Sequence, residues 1–61
     1  METVEKPAKM KLSTAAWDYF SRNANATVVC LRTKEGREFW FRRDPRTGEP
    51  IKISREIAEK L

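Results

Sequence analysis

The sequence predicts a small α+β domain in the order α-β-β-β-α, and three observations carry that expectation. An amphipathic stretch follows residue 12, two segments rich in β-branched and aromatic residues flank Gly36, and a Pro/Gly turn leads into a final apolar stretch. With 61 residues the chain is one domain at most. A core of this size supplies only about 3–5 kcal/mol of net stability.

Residues 1–11 are charged, poor in apolar groups and contain Pro7, so they are expected to form a flexible N-terminal arm ahead of a single domain over 12–61. From Leu12 the pattern changes. Ser13 or Thr14 can cap a helix, and Ala16, Trp17, Phe20 and Ala24 recur near helical spacing, which predicts a helix over 13–23 with Trp17 and Phe20 as core anchors. Asn23-Ala24-Asn25 then turns the chain.

Residues 27–33, Thr-Val-Val-Cys-Leu-Arg-Thr, read as a strand, with Lys34-Glu35-Gly36 as its turn and residues 37–43 as a second strand. In Asp44-Pro45-Arg46-Thr47-Gly48 the Asp can bond to the backbone ahead of it, Pro presets φ, and Gly accepts a positive φ. A third strand over 50–53 completes a three-stranded antiparallel meander, and Ser54 caps a short terminal helix containing Ile57, Ala58 and Leu61. Alternation places Val29, Leu31, Phe39, Phe41, Ile51 and Ile53 on one face, which both helices are expected to cover. The other face then carries Val28, Cys30, Arg32, Glu38, Trp40, Arg42 and Lys52. A register slip of one residue would invert these assignments.

Composition narrows the chemistry. Cys30 is the single cysteine and histidine is absent, so no internal disulfide, zinc cluster or catalytic base-nucleophile pair is expected, and no cofactor or metal. Gly36 and Gly48 are the only glycines, which leaves no phosphate-cradling loop. The expectation is a non-enzyme. No apolar run suggests a signal sequence or a membrane span, so a cytoplasmic protein is expected, and Asn25-Ala26-Thr27 is read as turn chemistry rather than a glycosylation site.

The net charge of +4 is concentrated between residues 27 and 48, where Arg32, Lys34, Arg37, Arg42, Arg43 and Arg46 outnumber Glu35, Glu38 and Asp44. Arginine suits bidentate phosphate and base-edge contacts. The expected site is therefore a basic sheet face in which Trp40 stacks or wedges at a base while Arg32, Arg42 and Lys52 meet phosphates. The alternative is that Trp40 is covered by the N-terminal arm or by a second subunit.

Residues 43–53, Arg-Asp-Pro-Arg-Thr-Gly-Glu-Pro-Ile-Lys-Ile, resemble the tip and returning strand of the DNA-binding arm in the HU/IHF histone-like family, with Asp44 where that family has Asn. The resemblance implies contacts from Arg43, Pro45 and Arg46. The wider pattern resembles the arm-binding domain of phage tyrosine recombinases and, without the first helix, small archaeal chromatin proteins. Together these readings give a regulatory or architectural protein whose partner is double-stranded DNA, with RNA as a second candidate. The competing class is a protein-interaction module, a small inhibitor or a homodimer, using Val28, Cys30 and Trp40.

Overall fold

The computed structural model describes residues 3–61 as a four-stranded mixed sheet with two helices. The order along the chain is β1 (Thr3–Glu5), α1 (Leu12–Arg22), β2 (Val28–Arg32), β3 (Glu38–Arg43), β4 (Pro50–Ile53) and α2 (Arg55–Lys60). The strands lie in the order β1-β2-β3-β4, and β1 runs parallel to β2 while the remaining pairs are antiparallel. The α+β class therefore holds, and the three-stranded meander is corrected to a four-stranded sheet. The additional strand comes from the segment expected to be a loose arm: Val4 pairs with Leu31, and the Lys6 N–H donates to the Arg32 carbonyl at 2.9 Å.

A parallel neighbour needs a crossover, and α1 provides it. Its contact face is Ala15, Ala16 and Phe20, with Leu12 and Tyr19 partly buried beside them, and it packs on Val29, Leu31 and Phe41. Phe20 thus anchors the core as expected. Trp17 does not, being 46% exposed. One residue past Ala16 is a rotation of about 100°, which carries the indole to the flank of the helix. Lys11, not Ser13 or Thr14, occupies the N-cap, and it makes no side-chain capping bond.

Turn lengths set the phase of the strands. Between β2 and β3, Thr33 N–H donates to Arg37 O at 2.8 Å around residues 34–36, so odd residues pair with odd ones: Val29 with Phe41 and Leu31 with Phe39. Between β3 and β4, Asp44 N–H donates to Glu49 O at 2.8 Å around residues 45–48, and this even-length loop pairs odd with even: Phe41 with Lys52 and Trp40 with Ile53. The faces expected for β4 are therefore reversed. Ile51 and Ile53 share the Trp40 face, while Lys52 lies beside the core phenylalanines with its Nζ 4.9 Å from the Phe39 ring centroid.

The helices consequently do not share a face. α2 packs on β3, and the buried Ala58 and Cys30 both lie outside the cluster beneath α1. It covers the Trp40 side of the sheet, with Ser54 Oγ accepting from Ile57 N–H at 3.3 Å as its cap. The resulting layers are α1, sheet and α2.

This packing predicts that Phe41→Ala lowers stability by about 3–5 kcal/mol, whereas Trp17→Ala costs under about 1 kcal/mol because its ring is half in water. Urea midpoints for the two variants check the assignment, and equal losses would contradict it.

Candidate nucleic-acid interface

The β3–β4 hairpin end is held by a dense set of local bonds. Asp44 Oδ1 accepts from Arg46 N–H at 2.8 Å, Gly48 N–H donates to Asp44 O at 2.7 Å, and Thr47 Oγ1 accepts from Glu49 N–H at 3.2 Å. Gly48 has φ +78°, a value that its missing Cβ permits. Pro45 and Arg46 are exposed at the apex. The turn read from the sequence is thus present in detail, including the bond from Asp44 to the backbone ahead.

Arg43 turns inward. Its Nη1 donates to the Ala24 carbonyl at 2.9 Å, and its backbone N–H donates to Thr27 O at 2.8 Å, which ties the hairpin to the loop between α1 and β2. Arg42 is half-buried on the opposite face beside Val28 and Ile51. Ion pairs among the described residues join Arg22 to Asp18 at 3.3 Å and Arg55 to Glu59 at 3.2 Å. Arg42, Arg43 and Arg46 belong to neither, so their charge is available at this end of the sheet.

The expected ring of cations around Trp40 does not form. Lys52 is on the other face. Arg32 is at the far end of β2, between the registered carboxylate residues Glu5 and Glu38. Trp40 itself is half-buried and borders a cleft with Ile53, Ser54 and Arg55. Of the expected site residues, the structure gathers Arg42, Arg43, Pro45 and Arg46 at the hairpin end and leaves Arg32, Trp40 and Lys52 apart from them.

The surface proposed for the competing protein-interaction reading is also altered, because Cys30 is 0% exposed. Its thiol donates to Glu38 Oε2 at 3.7 Å. Burial pushes the Cys30 thiol above its ordinary pKa; the Glu38 charge adds to this, while the Thr3 hydrogen bond and Arg32 oppose it.

A second group joins cations of the N-terminal segment to cations of the 27–48 segment, a juxtaposition the sequence did not signal. Because β1 pairs with β2, the segment carrying Lys6, Lys9 and Lys11 lies against the β2–β3 turn, and a groove of about 500 Å³ there is lined by Lys6, Arg32 and Lys34 together with Glu5 and Glu35. Lys6 Nζ donates to Met10 O at 2.7 Å and to Pro7 O at 3.1 Å. The Glu35 carboxyl is held below its ordinary pKa by its own backbone N–H and the Thr33 hydroxyl, with smaller help from Arg37 and Lys6. No helix among the described residues is long and apolar enough to cross a membrane. Comparison of the chain with family models, curated proteins and solved structures finds no match.

The buried thiol generates a pH prediction with a definite sign. Folding favours the neutral thiol, so its contribution is fully present below the ordinary thiol pKa and is lost as pH rises from there towards the raised folded value. Wild type should therefore lose stability at alkaline pH more steeply than Cys30→Ala in paired urea titrations. Parallel pH profiles for the two proteins would contradict it.

Proposed function

We propose that this chain is a small non-enzymatic nucleic-acid-binding protein, with double-stranded DNA as its first partner, and that it meets phosphates with the β3–β4 hairpin end rather than with an open sheet face. The observation that carries this reading is the grouping of Arg42, Arg43 and Arg46, outside any ion pair among the described residues, around a turn fixed by Asp44 and Thr47. A rigid turn places guanidinium groups without a large ordering cost on binding, and each phosphate neutralised releases counterions.

The roles within the group differ. Arg46 at the apex and Arg42 beside it have guanidinium forks to offer to phosphate oxygens. Arg43 spends one N–H on Ala24 O and chiefly sets the hairpin against the α1–β2 loop. Pro45 gives the tip an apolar surface with fixed φ. Trp40, packed beside Ile53 and the start of α2, holds the layers together in this reading and does not stack on bases. Regulatory and architectural roles both remain within it, as does duplex RNA.

Fluorescence anisotropy with labelled duplex DNA, single-stranded DNA and duplex RNA at two salt concentrations tests the proposal. Duplex DNA binding should weaken as salt rises, and Arg42→Ala/Arg46→Ala should make the slope of log K against log salt shallower by about 2. Lys52→Ala, on the other face of the sheet, should leave that slope unchanged. Absence of binding in low salt, or a wild-type slope in the arginine double variant, would overturn the reading.

A further inference from the structure

Charge on this molecule is polarised along the strands. β1 and β2 run parallel, so the segment after β1, the N-terminus of α1 and the β2–β3 turn share one end of the sheet; the C-terminus of α1 and the β3–β4 turn share the other. At the first end stand Lys6, Lys9, Lys11, Arg32, Lys34 and Arg37, six cations against the three carboxylates Glu5, Glu35 and Glu38. At the second end stand Arg42, Arg43 and Arg46 against Asp44 and Glu49. Each end is net positive.

Between them the helices are neutral, and Lys52 of β4, whose Nζ lies over the Phe39 ring, adds one cation. α1 carries Asp18 and Arg22 as its only charges, and these pair with each other at 3.3 Å. α2 carries Arg55, Glu56, Glu59 and Lys60, which balance, and Arg55 is tied to Glu59 at 3.2 Å. A protein that lay lengthwise on one duplex would need positive charge along its flank, because non-specific affinity comes from phosphates neutralised across the contact. This chain instead has two basic poles at opposite ends of the sheet, separated by helices that offer a polyanion no net attraction and by a flank with the single cation Lys52.

We infer that the protein binds two nucleic-acid segments at once, one at the arginine hairpin end and a second at the groove end formed by Lys6, Arg32, Lys34 and Arg37, and so bridges duplexes. The inference rests on the nucleic-acid reading proposed above. Lys6 Nζ is held by two carbonyls, and in the turn Lys34 and Arg37 stand against the single carboxylate Glu35, which leaves one positive charge in excess there. Bridging then follows from occupancy of the second pole by the backbone of another duplex, with no contact between protein copies.

A capture experiment tests this. One duplex is immobilised, a second labelled duplex is added in low salt, and the labelled duplex retained is measured as protein is titrated. Wild type should retain it. At protein concentrations that saturate the immobilised duplex, Lys34→Gln/Arg37→Gln should still occupy it but retain labelled duplex only at the protein-free level, while Arg42→Ala/Arg46→Ala should also lose retention. Circular dichroism melts of both variants exclude unfolding as the cause. If wild type binds the immobilised duplex and retains no second one, bridging fails and the nucleic-acid reading stands; if it binds neither, both fail. A mixture of the two variants separates the remaining case, since recovery of retention would mean that bridging occurs through a protein dimer and would overturn the two-pole inference.

Discussion

The structure depends on one strand that is buried from both sides. Val29, Cys30 and Leu31 are consecutive in β2, and each is at most 1% exposed, although neighbours on a strand point to opposite faces. A strand of this kind cannot be the middle of a sheet with one wet face. It requires cover above and below and a partner on each edge, and the rest of the fold supplies these: α1 over Val29 and Leu31, α2 on the Cys30 side, β3 along one edge and β1 along the other. Parallel pairing of β1 fits this arrangement, since parallel strands occur where both faces are covered.

Most elements were legible in the sequence because each carries its own local signal. Thr27 to Thr33 is rich in β-branched residues, Asp44 to Gly48 spells a turn, and Ser54 caps α2 as expected. β1 was not legible, because a three-residue strand with Val4 as its one apolar member has no periodicity to detect. The sidedness of the sheet was misread for a different reason. Val-Val-Cys-Leu is a continuous apolar run, the mark of a doubly buried strand, and reading it as an alternating pattern required one face to be open.

The reversed β4 faces follow from loop parity, a non-local consequence of turn length. Alternation within β4 puts Ile51 and Ile53 together correctly, yet which face they join depends on whether the loop closing the hairpin has an odd or even number of residues. Asp44 pairing with Glu49 makes it even. The same bond sets the edge chemistry. It directs the backbone of Ile51 and Ile53 at β3, so Pro50 and Lys52 face the open edge, and Pro50 has no N–H to offer a further strand. Extension along β4 is therefore hindered at Pro50, and Lys52 is the residue whose backbone N–H still faces the edge.

That coupling also bears on how the long arginines of the proposed site are positioned by so small a core. Arg42 and Arg43 are adjacent in β3 and point to opposite faces, so one backbone conformation divides their roles: Arg42 is left beside Val28 and Ile51, and Arg43 is drawn across to Ala24. Arg46 is placed separately, by the Asp44 carboxylate accepting its backbone N–H. Removing that carboxylate by Asp44→Ala would free the apex and loosen the pair that fixes β4, so stability and phosphate affinity would fall together. Arg46→Ala removes a side chain whose backbone N–H stays bonded, so affinity would fall while stability stays near wild type. Such a contrast would mark the turn as a structural support of the proposed site and Arg46 as part of that site.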